Sequence, residues 1–214
     1  MNDHDDSIRS HARYADSYDA QVREYGCYGA EILFGLCFAY VIPGSRLLDI
    51  GIGTGLSSEP FAKAGMEICG VDGSDEMLRV CRKKCIAKEL MRHDLNRLPL
   101  PYAASSFSIV VACGVFHFFG DLAPLFTDIF RMLEPGGVFS FTIMREYCGR
   151  KTDPGKTGAG CRSEMSQEGV EVFTHTERYI RELLHRCRFE ELKEQFFITR
   201  DQSLYSAHVV RKTA

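Results

Sequence analysis

The chain lacks an excess of either charge: 26 lysines and arginines stand against 29 aspartates and glutamates, a formal net charge of −3 over 214 residues. That balance speaks against a dedicated binder of nucleic acid or another polyanion. It also lacks any Cys-x-x-Cys pair, although it holds nine cysteines, at positions 27, 37, 69, 81, 85, 113, 148, 161 and 187. Zinc-ribbon and thioredoxin-like readings therefore fail, and the cysteines are expected to be small core residues of a reduced, cytoplasmic protein. Long hydrophobic runs are missing too. The most apolar stretch, Ala30 to Ile42, has about 13 residues and contains Glu31, whereas a bilayer span takes about 20. A core helix is expected there, and no membrane partner. Met1 to Ser10 is acidic and polar, without the basic-then-apolar order of a secretory signal. With 45% hydrophobic residues and a small net charge, disorder is excluded as the dominant state. A length of this kind suits one domain that needs no disulfide or metal to hold its core.

What is present is an alternation of apolar runs with helical patterns. Arg46–Ile50 is a short strand-like run ended by glycines, followed by a helical stretch (Leu56 to Ala64), a second run at Glu67–Val71, and a helix from about Ser74. Ser108–Cys113 is continuously apolar after its first residue, as expected of a strand buried on both faces. Asp121 is placed to cap the next helix, whose Leu122, Leu125, Phe126, Ile129, Met132 and Leu133 recur with the helical period. Pro135-Gly136-Gly137 should stop it before a strand at Val138–Ile143. Thr174-x-x-Glu177 reads as a capping box for a helix carrying Ile180, Leu183, Leu184 and Cys187. Two closing runs, Leu192–Thr199 and Leu204–Arg211, are joined by a four-residue polar link. So short a link allows only an antiparallel hairpin. The expected fold is α/β: a doubly wound, mainly parallel sheet finished by an antiparallel C-terminal hairpin.

The strongest motif is Asp49-x-Gly51-x-Gly53-x-Gly55, at the end of the first strand. Glycines there let the backbone turn tightly and approach a ligand near a helix N-terminus. A dinucleotide-binding loop wants G-x-G-x-x-G, but Leu56 stands where its third glycine should be. The pattern resembles the first motif of class I S-adenosylmethionine-dependent methyltransferases. Gly70-Val71-Asp72-Gly73-Ser74 is similar to their second motif, in which a carboxylate accepts hydrogen bonds from the ribose hydroxyls. His93-Asp94-Leu95 lies where the family contacts the adenine amino group, and Leu133-Glu134-Pro135-Gly136-Gly137 resembles the loop before its fifth strand. The likeness is strong over about residues 45–145 and points to the family's small-molecule, type-11-like group. Cys113-Gly114-Val115-Phe116-His117 replaces the Asn/Asp-Pro-Pro-Tyr of base-amino methyltransferases, and the paired glutamates of arginine methyltransferases are missing.

The resemblance implies a seven-stranded Rossmann-like methyltransferase fold that binds S-adenosylmethionine and acts on a small-molecule acceptor. Its cofactor contacts would fall on Tyr18, Asp49, Gly51, Gly53, Thr54, Gly55, Asp72, Gly73, Ser74, Met77, Asp94, Leu95, Cys113 and Gly114. One domain is expected, with a helical cover at 1–44, the cofactor core at 45–145, a glycine-rich segment at 146–170 that is either a lid or a passive insertion, and a closing helix and hairpin at 171–214. His117 is the candidate base: it follows the fourth strand near the carboxyl edge where open α/β sheets bind ligands, and imidazole exchanges protons near neutrality. No metal site is expected, since Cys81 and Cys85 share a helix face without a third ligand nearby in sequence. Gly149 to Thr157 imitates a phosphate-binding loop but with one residue too many between its glycines. Two other functions compete, a nicotinamide-dependent oxidoreductase and a non-catalytic S-adenosylmethionine-binding protein. The acceptor itself is not legible.

Overall fold

The computed structural model describes residues 8, 12–145, 160–166 and 169–213. Two helices, α1 (Tyr18–Glu24) and α2 (Gly29–Cys37), precede the first strand, and a short 3-10 turn, Phe38–Tyr40, extends α2. The stretch expected to be one core helix is thus shorter and one-sided: Ala30, Leu33 and Cys37 are buried while Phe38 and Ile42 face outward.

Seven strands form one sheet: β1 (Arg46–Ile50), β2 (Glu67–Asp72), β3 (Ala87–Arg92), β4 (Phe107–Ala112), β5 (Leu133–Met144), β8 (Phe189–Ile198) and β9 (Leu204–Lys212). Their order is β3-β2-β1-β4-β5-β9-β8. The first five are parallel, while β9 runs antiparallel to both β5 and β8. The expected architecture is therefore observed, with the closing strands beginning or ending a few residues beyond the expected bounds. Helices α3 (Glu59–Lys63), α4 (Asp75–Lys84), α5 (Ala123–Met132) and α6 (Glu177–Arg186) connect the strands. Both faces of the sheet are apolar. One carries Phe116, Phe126, Phe139 and Phe141, packed ring on ring at 4.5–6.0 Å. The other carries Leu47, Phe61, Ile68, Leu78 and Ile109. Each such side chain contributes about 1.5–3 kcal/mol when fully buried. That explains why β4, buried on both faces, reads as a continuous apolar run.

Several local expectations are corrected. The helix after the glycine loop spans only Glu59–Lys63, because the turn continues to Ser58, where Ser57 and Ser58 both donate to buried Asp49. Leu122, not Asp121, occupies the cap position of α5, although Asp121 accepts from Ala123 N–H at 3.0 Å. That helix ends at Met132, ahead of Pro135, and β5 starts at Leu133. Thr174 caps nothing, because it pairs with Arg162 in an unexpected two-stranded sheet, β6 (Cys161–Met165) with β7 (Glu171–His175). Thr176 caps α6 instead, accepting from Tyr179 N–H at 3.2 Å. The expected lid falls mostly outside the described residues, as do Cys148 and the phosphate-loop look-alike. Its described part includes β6, one strand of that small sheet. Among the described residues no helix is long and apolar enough to cross a membrane.

Candidate functional site

Strand order reverses between β1 and β4, and in open parallel sheets the crevice beyond such a switch point holds ligands. Two adjoining cavities open there and share Tyr18, Gly51, Gly53, Cys113 and Gly114.

The glycine loop leaves β1 by a turn that only glycine adopts easily. Gly51, Gly53 and Gly55 have φ of 70°, 53° and 85°. A Cβ on Gly51 would sit 2.5 Å from Val115 of the neighbouring β4 loop, so the two loops can close together only around glycine. Gly51 N–H donates to Val71 O at 2.8 Å, and Gly53 N–H donates to the Asp72 carboxylate at 2.8 Å. The second Asp72 oxygen accepts from Ser74 N–H, also at 2.8 Å. Asp72 is thereby aimed by two backbone donors at the tip of β2, on the wall of the first cavity. Ser74 caps α4, accepting from Met77 N–H at 3.3 Å, which sets Met77 against the same cavity. Gly73 and Leu95 complete this wall. Ile8, Val115, Phe118 and Phe119 also line it. Motif reading missed them because they come from neighbouring loops and the N-terminal segment, with no spacing signal of their own.

The second cavity, about 200 Å³, continues from the glycine loop toward the hairpin. Thr54 and Ser57 lie on the loop side, His117 on the 3-10 turn Phe116–Phe118, and Thr142 on β5. Thr142 Oγ1 accepts from Gly114 N–H at 2.8 Å, fixing the turn after β4. His117 packs on Phe118 at 4.0 Å and edge-on to Tyr205 at 6.5 Å. Phe197 and Tyr205, from β8 and β9, form the far wall. Sequence could not nominate them, since only the hairpin's register brings them to the crevice.

Three candidate residues stand outside both linings. Asp49 is fully buried behind the loop, with Oδ2 accepting from Ser57 and Ser58 at 2.6 Å and Oδ1 without a partner. Burial pushes its carboxyl up to about 7, against the pull of the two hydroxyls. Gly55 packs on α4, where a Cβ would meet Ile86 and Cys81 at 2.7 and 2.8 Å. Its role is close packing of loop on helix. Asp94 accepts from Asn96 N–H and side chain at 2.9 and 3.0 Å and lies 3.7 Å from Arg97, leaving its neighbour Leu95 on the cavity wall. Of the pair once weighed as metal ligands, Cys81 is buried and Cys85 exposed.

The N-terminal segment is tied over this crevice by charges. Asp19 accepts from Thr54 Oγ1 and pairs with Lys84, both at 2.5 Å, and Asp16 pairs with Arg79 at 2.7 Å. Tyr18, between them, covers both cavities, and burial drives its phenol pKa far upward.

Comparison with known proteins agrees with this geometry. The family described as "Methyltransferase domain" matches residues 48–141. A malonyl-[acyl-carrier protein] O-methyltransferase of Serratia marcescens is 32% identical over 136 residues, 62% of this chain and 50% of that protein. A ubiquinone biosynthesis O-methyltransferase of Sinorhizobium fredii is 34% identical over 107 residues, covering 49% and 43%. The chain spans about half the length of the curated relatives it matches. Among solved structures, a Burkholderia thailandensis 1,6-didemethyltoxoflavin-N1-methyltransferase with bound S-adenosylhomocysteine superposes with a TM-score of 0.71. Its identity is 17%, over 97% of this chain and 88% of that one, a likeness of fold.

Proposed function

We propose that this chain, a member of the class I S-adenosylmethionine-dependent methyltransferase family through residues 48–141, transfers a methyl group from S-adenosylmethionine to a small-molecule acceptor. One observation carries the reading: two cavities meet at the β1/β4 switch point along a wall of glycines, one bearing the fixed Asp72 carboxylate, the other opening past His117.

The residues fit the donor. Gly114 lines both cavities with φ of +68°, and a Cβ built on it meets nothing within 4 Å, so a side chain there would take up space in the crevice. Asp49, fully buried behind the loop, accepts from Ser57 and Ser58 and so shapes the loop from below without lining either cavity. Asp72 would hold the ribose hydroxyls, because an ionised carboxylate only accepts and a vicinal diol offers two donors. Met77, Leu95, Val115 and Phe119 would enclose the adenine, and Gly51, Gly53 and Tyr18 the joint between the cavities. When bound, S-adenosylmethionine supplies a sulfonium-activated methyl group whose transfer leaves a neutral thioether.

The chain's own work is then alignment and proton handling. Holding the acceptor atom in line with the methyl group can lower the barrier by about 7–11 kcal/mol. His117, on the wall of the second cavity, accepts the acceptor's proton where the nucleophile carries one. The near-balanced charge supports a small molecule rather than nucleic acid, and the cysteines, all eight of the described ones free, support a reducing cytoplasm.

Calorimetry with S-adenosylmethionine and S-adenosylhomocysteine tests the donor site. Both should bind, and Asp72→Ala should weaken them at least about tenfold, the loss expected from roughly 1.5–3 kcal/mol of charge-assisted hydrogen bonding. Wild-type protein that binds neither compound refutes the reading. A coupled assay for S-adenosylhomocysteine release then screens acceptors.

A further inference from the structure

The far end of the second cavity is made of Cys27 and Gly29 from the N-terminal cover, His117, Thr142, Phe197 and Tyr205. Phe197 and Tyr205 are directly opposite in the β8/β9 register, so their rings project on one face. They stack at 5.4 Å and 15°, with the His117 ring edge-on to Tyr205 at 83°. A Cβ placed on Gly29 would lie 3.3–3.6 Å from Cys113, Phe197 and Thr142, which keeps this end narrow. Resting on the methyltransferase reading, we propose that the acceptor is an uncharged, planar aromatic or heteroaromatic ring with a hydroxyl or N–H as nucleophile, seated against Phe197 and Tyr205.

Charge and polarity argue the same way. None of the described lining residues of this cavity is an Asp, Glu, Lys or Arg. The carboxylates felt nearby, Glu31 and Asp201, are not among the described lining residues of either cavity, and Asp201 is engaged with the hydroxyls of Thr199 and Ser203 at 2.5 and 2.7 Å. An anionic acceptor would lose its hydration without gaining a lining cation. A cationic one would find no lining carboxylate. A charge of either sign is desolvated there without a lining partner, which disfavours it against a neutral ring. The groups that do line the end are neutral: burial holds the protons on Cys27, Cys113 and Tyr205. They donate and accept hydrogen bonds, as do Thr142 and His117, and suit a hydroxyl or N–H on a ring better than a carboxylate or ammonium. A flat π-face against two parallel rings gains both area and stacking geometry.

The test is binding of a matched series to wild-type protein, with and without S-adenosylhomocysteine, by calorimetry and saturation-transfer NMR. Catechol is the neutral ring, protocatechuate its anionic analogue, dopamine its cationic analogue, and cyclohexanediol its saturated one. Catechol should bind at least about tenfold more tightly than each of the others. Phe197→Leu should weaken catechol at least about fivefold while S-adenosylhomocysteine binds as before. Equal or tighter binding of either charged analogue, equal binding of the saturated ring, or no catechol binding overturns the proposal, whatever the variant does. Failure of S-adenosylhomocysteine to bind wild-type protein instead refutes the methyltransferase reading, which keeps the two failures apart.

Discussion

Asp49 shows how one residue in this fold has a stability consequence separate from ligand contact. Its carboxyl is fully buried, two serine hydroxyls satisfy one oxygen, and burial raises it to about 7. The group therefore holds its proton in the folded state at pH values where the unfolded chain, with an ordinary carboxyl near 3.9, has released it. Native protein binds more protons than unfolded across that window, so stability falls as pH rises from about 4 to about 7, by up to roughly 4 kcal/mol. Asp49→Asn keeps the hydrogen-bonding size of the group but cannot ionise. Its stability relative to wild type should rise between about pH 5 and about pH 8, read from urea unfolding at both. Parallel pH curves for the two proteins exclude the mechanism. The sequence carried Asp49 as part of a glycine motif, and also Asp72, Ser74 and Met77, because those positions are fixed by turns and caps a few residues long. It placed Gly55 and Asp94 among ligand contacts; in the fold Gly55 packs on Ile86, Asp94 accepts from Asn96, and neither lines the described cavities. Ile86, distant in sequence from Gly55, becomes its partner only in the folded chain.

Between elements, the decisive contacts are those that tie the N-terminal cover to the core. Helix α1 has no fully buried residue, Tyr18 being only partly covered, so apolar packing alone does not hold it over the crevice. The Asp19–Lys84 pair, with both side chains about a quarter exposed or less, and the Thr54 hydroxyl bond anchor it to the glycine loop and α4. A half-buried pair of this kind is worth about 1 kcal/mol and is weakened by salt. Asp19→Asn should therefore weaken S-adenosylhomocysteine binding about fivefold at about 20 mM salt, and the gap to wild type should shrink at about 0.5 M. Calorimetry at the two salt levels reads this directly, and a gap that stays constant would show that charge does not hold the cover. Other elements were less legible. The strands β6 and β7 carry polar sequences, and β7 is specified by where Phe173 lands, against Gly120 of the turn after β4, with a Cβ there only 3.0 Å from its ring. Strand preference of that sort comes from tertiary contact rather than from the local pattern. The shortened α3 has the same cause, since Ser57 and Ser58 turn to a buried carboxylate that no local rule announces.

Across the whole molecule, the pH response is a sum of opposed terms lying in different parts of the fold. The Asp49 term belongs to the glycine-loop half. The other half buries two histidines. His175 on β7 stacks on Tyr179 at 5.4 Å beside the backbone of Phe119 and Gly120, and burial lowers it to about 4. His208 on β9 stacks on Phe141 at 4.9 Å and meets Ser206 Oγ at 2.8 Å, with Arg145 also opposing its charge, and is lowered to about 3. Glu191 and Glu194 lie 3.7 and 3.8 Å from its ring nitrogens without reversing that direction. Below about pH 6.5 an unfolded histidine takes up a proton that these folded ones refuse. The unfolded state then binds more protons, so this contribution to stability rises with pH up to about 6.5 and is lost on acidification toward the folded values. Since Asp49 runs the other way over much of the same range, wild-type stability should vary less with pH than either half dictates. Removing one side exposes the other. His175→Phe, which keeps a ring against Tyr179, should lose less stability than wild type on going from about pH 7.5 to about pH 4.5, by about 3 kcal/mol. His208→Phe should behave alike despite leaving Ser206 Oγ without its imidazole partner, because that loss is the same at both pH values and cancels from the difference. Unfolding curves that shift equally for wild type and both variants would place the acid response elsewhere than in the histidines of the closing half.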